Sequence, residues 1–272
     1  MTQETNRSAH RPLALVTGAS SGIGFELAKQ FAEHGYDLFI CAEDAGILMA
    51  RQSLEQTGAS HIQHLQVDLA TYQGVEDLMN AVRALARPLD VVAINAGVGV
   101  GGDFTRQTDL AAELRLIDLN VTSTVHLAKR VLPDMVAAGH GRILFTSPIA
   151  ATMPAPFLAV YGASKAFVQS FAEAIRNELK DTGVTITSLM PGPTETNFFD
   201  RAGMQDTKVG SEEKDDPAQV ARQGFDALMA GKDHVIAGSW MNKVQGVLGK
   251  VIPDTAKAEM HRKLSEPGSA HH

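Results

Sequence analysis

The 272-residue chain has one cysteine, Cys41, so no disulfide can close within it and a reducing compartment fits. It has no apolar run near the roughly 20 residues needed to span a bilayer. Met1 to Arg11 is polar and lacks the apolar core of a secretory signal. Cations are not in excess either: 24 Lys and Arg stand against 31 Asp and Glu, a net charge of -7 with the histidines neutral. That balance argues against nucleic acid and anionic membranes as partners. With 44% hydrophobic and 20% charged residues, the chain has material for a sizeable core. The expectation is a cytoplasmic globular protein with a disordered lead-in at 1–11, one domain at 12–240 and a helical extension and tail at 241–272. No metal site is expected, and His271-His272 reads as the remnant of a purification tag.

Two periods alternate from Pro12 onwards. Short apolar runs at Leu13–Val16, Asp37–Ala42, Ile62–Val67, Val91–Ile94, Arg142–Thr146, Thr185–Met190 and His234–Ala237 read as strands. Between them, helical spacing predicts helices ending near Gly35 and over 44–56, 75–86, 110–138, 159–182 and 218–229. The helix over 110–138 is long enough to bend or break. This alternation implies an α/β fold, a parallel sheet covered by helices on both faces. Pro191 to Asp216 is the most loop-like segment, and Asp216-Pro217 is a good start for a helix. From Trp240 to Leu264, Met241, Val244, Val247, Leu248, Val251 and Ile252 recur with partial helical spacing. Such a helix packs on the body, or docks a membrane surface or a partner.

Thr17-Gly18-Ala19-Ser20-Ser21-Gly22-Ile23-Gly24 joins the first strand to the first helix. Gly18 permits a sharp turn, Gly22 removes a side chain that would block a phosphate, and Gly24 allows close helix–sheet packing. Backbone N–H groups at the helix start then face an anion. Farther on, Tyr161 and Lys165 stand at i and i+4, on one helical face. A phenol titrates at about 10, too high for acid–base work near neutrality, and a nearby ammonium lowers that value. An exposed Tyr/Lys pair would show the same spacing.

Gly-x-x-x-Gly-x-Gly and Tyr161-Gly-Ala-Ser-Lys165 make the chain resemble the short-chain dehydrogenase/reductase superfamily, with further motifs in order from about 12 to 240. The resemblance implies a Rossmann-type doubly wound parallel sheet of about seven strands. It implies a nicotinamide dinucleotide held by Gly18, Ser20, Ser21, Gly22, Ile23 and Gly24. Asp68, with Leu69, is expected at the adenine, Asn95-Ala96-Gly97 in the turn after the fourth strand, and Pro191-Gly192, Thr194 and Thr196 at the nicotinamide. It gives Tyr161 the proton-transfer role, has Lys165 hold the nicotinamide ribose, and has Asn120 position a water that links Lys165 to solvent. Pairing through the tyrosine helix and the one before it implies a homodimer or homotetramer.

One element of the family pattern is missing. The serine expected thirteen residues before the tyrosine falls on Pro148. Ser147 precedes it; adjacent residues at a strand end point to opposite sides, so Ser147 fills the role only if Pro148 brings it round. Losing such a donor costs roughly 10²–10³ in rate in other enzymes. Three functions therefore compete: oxidoreduction of a ketone or secondary alcohol, reduction of C=N, and dinucleotide binding by a protein whose chemistry is impaired and which regulates or scaffolds.

At the end of the second strand, relatives using NAD carry an aspartate at the position of Ala42. Relatives using NADP carry arginine at Glu43 or Asp44. Two carboxylates there would repel a 2′-phosphate and accept from a ribose diol, which favours NAD(H) over NADP(H); both acids could also be solvated residues opening a helix. The expected substrate wall comprises Val98–Phe104, Ala151–Leu158 and the loop Thr194–Val209. Met153, Pro154, Phe157, Phe198, Phe199 and Met204 point to a small apolar carbonyl or alcohol, and no arginine cluster is expected there.

Overall fold

The computed structural model describes residues 11–57, 61–149, 153–238 and 253–271. One parallel sheet contains β1 (Leu13–Thr17), β2 (Asp37–Ala42), β3 (Ile62–Gln66), β4 (Val91–Ile94), β5 (Gly141–Thr146), β6 (Val184–Pro191) and β7 (His234–Ala237). Its spatial order is β3-β2-β1-β4-β5-β6-β7. The helices are α1 (Gly22–Glu33), α2 (Gly46–Glu55), α3 (Tyr72–Arg83), α4 (Leu110–Ile117), α5 (Ser123–Ala138), α6 (Ala159–Glu178), α7 (Phe198–Arg201), α8 (Lys208–Ser211), α9 (Pro217–Met229) and α10 (Asp254–Ser265).

β1, β2 and β4 are buried at every position because both faces of the sheet are covered. Side-chain alternation splits the core. Ala14, Val16, Leu38 and Ile40 meet Leu27 and Phe31 of α1, Leu54 of α2 and Phe225 of α9. Leu15, Phe39 and Val92 meet Leu78 of α3, Val131 of α5 and Val168 of α6 on the other face. Leu15 pairs with Phe39 on one side and Val92 on the other. The chain builds outward from β1 to β3, then returns to lay β4 on the far side of β1. The connections after β1 and β4 therefore part and leave a crevice at the C-terminal strand ends.

The long helix expected over 110–138 breaks into α4, a π turn at Asp118–Thr122 and α5. Pro133 lies inside α5, and Gly139 closes it in the left-handed conformation with φ 71°. Asn120 sits within the π turn, a feature that recurs at functional sites. α3 begins three residues earlier than its apolar spacing indicates, because the Thr71 hydroxyl accepts from Gly74 N–H and caps it there. α6 stops short of Thr182, at Glu178. The loop-like stretch after β6 contains α7 and α8.

The spacing read over Trp240–Ile252 lies outside the described residues, as do Ala151 and Thr152. Beyond them, α10 packs back on the body. Among the described residues no helix is long and apolar enough to cross a membrane, and no three metal-ligating side chains gather.

Candidate active site

One cavity opens at the C-terminal ends of β1, β2, β4, β5 and β6. Each residue expected at the cofactor lies on its wall, from Gly18 to Thr196, and so do Tyr161 and Lys165.

The turn after β1 depends on missing side chains. Gly18 has φ +66°, and a Cβ there would stand 2.9 Å from Ala96 Cα. Gly22 has φ +57°, and its Cβ would meet Thr196 Cγ2 at 2.8 Å. A Cβ on Gly24 would lie 2.1 Å from the Gly18 carbonyl oxygen. α1 then starts at Ser21 with no side-chain cap and no acidic residue in its first turn. By contrast, α3, α4 and α9 are capped by Thr71, Asp109 and Asp216. The first N–H groups of α1 are thus left for an anion in the cavity, and the cradle fits a pyrophosphate.

Asn95 holds the neighbouring strand ends together. Its amide donates to Thr17 O at 3.2 Å and its carbonyl accepts from Thr146 Oγ1 at 3.0 Å. Thr17 Oγ1 in turn accepts from the N–H groups of Asn95 and Ala96.

Tyr161 and Lys165 are buried together on α6. Lys165 Nζ donates to Thr146 O at 3.2 Å, and Tyr161 Oη has no hydrogen-bond partner among the described residues. Burial lowers the Lys165 amine to about 8 and pushes the Tyr161 phenol well above its ordinary value. This corrects the sequence expectation: in the protein alone, desolvation outweighs any relief from the ammonium.

Asn120 is fully buried and does not reach the cavity wall. Its amide donates to Val98 O and Ser164 Oγ at 2.9 and 3.1 Å, and its carbonyl accepts from Val98 N–H at 3.0 Å. What its side chain holds is the turn that carries Gly97. Ser147 requires a second correction. Fully buried, it donates to Lys165 O at 2.9 Å, because the strand-end alternation survives Pro148. The Pro148 ring itself lines the cavity.

The acids after β2 are not free. Asp44 accepts from Ser20 Oγ at 2.8 Å and Gly46 N–H at 2.9 Å, with Arg201 at 3.6 Å. Glu43 pairs with Arg115 at 2.7 Å, and the same guanidinium reaches Asp68 at 2.9 Å. Asp68 also accepts from Ala70 N–H, and its carboxyl sits below the usual range chiefly because of the Arg115 hydrogen bond. The two carboxylates expected near the ribose are therefore partly offset by arginine, with Glu43, Asp44 and Asp68 standing against Arg115 and Arg201. Arg115 carries no local motif, since only tertiary packing brings α4 to the end of β2.

The wall expected at the substrate is largely apolar. Val98, Met153, Leu158, Phe198, Phe199 and Val209 line it, and the Tyr161 and Phe198 rings lie 5.0 Å apart. Three of the six apolar residues singled out for the wall lie elsewhere: Met204 is buried against Gly101, Phe157 lies under Arg262, and Pro154 is off the wall; Phe104, in the expected range, lines a separate surface hollow. In their place α10 contributes His261, Leu264 and Ser265, and α7 contributes Arg201. The His261 imidazole is tied to the Pro156 main chain and lies 3.2 Å from Ser265 Oγ. Burial lowers its pKa.

A doubly wound α/β fold, with a glycine turn and a buried Tyr/Lys pair on one crevice, defines a class of dinucleotide-type sites. The short chain dehydrogenase family profile matches residues 12–206. An uncharacterized oxidoreductase of Myxococcus xanthus is 30% identical over 256 residues, 92% of this chain and 96% of that one. An NADP-dependent 3-hydroxy acid dehydrogenase of Salmonella typhimurium is 30% identical over 180 residues, covering 66% and 71% of the two chains. The structure of a short-chain dehydrogenase from Sphingobium yanoikuyae in complex with NADPH superposes with a TM-score of 0.77 at 27% identity, over 89% of this chain and 96% of that one. The chain belongs to the short-chain dehydrogenase/reductase family.

Proposed function

We propose that the chain moves a hydride between a bound nicotinamide dinucleotide and a hydrophobic ketone or secondary alcohol, with Tyr161 as acid and base. The observation that carries this reading is that Tyr161, Lys165 and the glycine turn share one cavity whose other end is apolar. NADP(H) named with the Salmonella and Sphingobium relatives supports a nicotinamide cofactor.

When bound, the nicotinamide supplies the hydride. The chain's residues do the rest. Gly18 to Gly24 and the start of α1 would hold the pyrophosphate, and Thr194 and Thr196 would meet the nicotinamide end. Lys165, anchored on Thr146 O, keeps donors for the ribose beside Tyr161. The buried phenol stays protonated and gives its proton to the carbonyl oxygen during reduction. In oxidation it takes the proton back, a step that requires the ammonium to offset burial.

Carboxylates rather than arginines at Glu43 and Asp44 favour NAD(H), by repelling a 2′-phosphate and accepting from a ribose diol. Their pairing with Arg115 and Arg201 offsets part of that charge. Pro148 on the cavity wall, with Ser147 turned away, favours a second reading in which the site reduces C=N, where an oxygen-binding donor matters less.

We further place the protein in the cytoplasm as a homodimer or larger homo-oligomer. Its one thiol is buried, and Leu110, Leu114, Ile117 and Phe167 leave an apolar face on α4 and α6 exposed. Light scattering tests this pairing, and a monomer at micromolar concentration rejects it.

The central test is turnover of ketones, imines and alcohols by wild type and Tyr161→Phe. The variant should lose roughly 10²-fold or more in kcat and bind NADPH or NADH as before. A variant as active as wild type rejects the proton role.

A further inference from the structure

Arg115 belongs to no motif, yet it reaches from α4 to two acids on the cavity wall. One guanidinium nitrogen stands 2.7 Å from Glu43 Oε2 and the other 2.9 Å from Asp68 Oδ2. Both acids line the cavity where the adenosine end of a dinucleotide lies, beyond the second strand. Glu43 follows Gly24 by about 20 residues, the spacing at which an acid meets the adenosine ribose.

The neighbouring acid differs. Both Asp44 oxygens are engaged by Ser20, Gly46 and Arg201, so that carboxylate is locked in place. The Arg115 bridge is half open to water, with side-chain exposures of 49% for Arg115, 44% for Glu43 and 36% for Asp68. Exposed ion pairs of this kind contribute little and rearrange easily. A guanidinium with two forked donor edges is also suited to a phosphate.

We propose that Arg115 is the residue that sets the response of this site to the adenosine 2′-substituent. With Arg115 in place, the charge of Glu43 and Asp68 is partly offset, and a 2′-phosphate finds a cation within reach. Without it, Glu43 stands as a bare carboxylate that accepts from a 2′-hydroxyl and repels a phosphate. The discrimination is thus set from α4, 72 residues along the chain from Glu43 and 47 from Asp68. The inference rests on the reading that the cavity takes a nicotinamide dinucleotide.

The test is calorimetric binding to the full chain of two probes that differ only in the 2′-phosphate, 2′,5′-ADP and 5′-AMP. Arg115→Ala should weaken 2′,5′-ADP by about tenfold or more and change 5′-AMP by less than about threefold. Glu43→Gln should tighten 2′,5′-ADP, and adding it to Arg115→Ala should recover part of the loss. Arg115→Lys, which keeps the charge without the fork, should fall between. Equal effects of Arg115→Ala on both probes, or none on either, overturn the assignment. If the wild-type chain binds neither probe, the nucleotide reading fails, and the role of Arg115 fails with it.

Discussion

The Ser147 hydroxyl donates to the main-chain carbonyl of Lys165, 2.9 Å away. The serine next to the cavity thus holds the helix that carries the lysine, while a proline faces the space where an oxygen donor would stand. Ser147→Ala should leave ketone turnover within about twofold and cost about 1 kcal/mol of stability, the worth of one buried hydrogen bond. Pro148→Ser should raise kcat on ketones by roughly 10-fold to 10³-fold if the donor is what the site lacks. Steady-state kinetics and denaturant melts measure both. A large loss in Ser147→Ala with no gain in Pro148→Ser would refute this division of roles.

Lys165 makes stability depend on pH. The unfolded chain keeps this proton to about pH 10.5, whereas the folded chain gives it up at about 8. Between those values the unfolded state binds more protons, so stability rises with pH; below about 8 the penalty is constant. It amounts to about 3 kcal/mol at most. Urea melts of wild type and Lys165→Met should show the stability difference moving in favour of wild type between about pH 8 and 10. Parallel profiles would count against a desolvated amine.

Gly22 and Gly35 separate steric from conformational effects. Both have positive φ, +57° and +83°, but only Gly22 has a neighbour within reach, Thr196 Cγ2 at 2.8 Å from its would-be Cβ. Alanine at either position should cost about 1–2 kcal/mol for the left-handed backbone. Only Gly22→Ala should also weaken NADPH binding, by about tenfold or more. Fluorescence titration of the two variants tells them apart, and equal cofactor affinities would contradict the cradle.

α10 closes the apolar end. Arg262 lies 5.0 Å from the Phe157 ring centroid, while Asp206 accepts from the N–H groups of Gly268 and Ala270. Removing 254–272 should raise KM for bulky ketones by about tenfold while changing that for small ones much less, the apolar wall being worth roughly 1–3 kcal/mol. A uniform loss across substrate sizes would mean that the segment supports the fold rather than the pocket.

These residues mark what was legible beforehand. The strands could be read because parallel strands buried on both faces are continuous apolar runs, and the glycine turn and Tyr161/Lys165 because their geometry is local. The break at Asn120 was visible only as an overlong helix. The direction of Ser147 required the strand end to be seen. Arg115 and His261 carried no sequence signal, since Arg115 meets Glu43 and Asp68, and His261 the cavity wall, through the packing of elements remote from the motifs.

The π turn at Asp118–Thr122 has a consequence for how this region tolerates change in length. A π turn places one residue more than an α-helix in the same rise, and each residue advances a helix by about 100°. The wide turn absorbs that residue, so the apolar stripe of α5 meets the sheet while α4 keeps Arg115 against Glu43 and Asp68. Deleting a single residue from 118–122 would restore a continuous helix with α4 and α5 still in phase, whereas adding one would rotate one half against the other by about 100°. Either the core contacts of Leu127 and Val131 or the reach of Arg115 would then be lost. Point substitutions on this helix are local events, but an insertion beyond the residue that the π turn already absorbs acts on its phase.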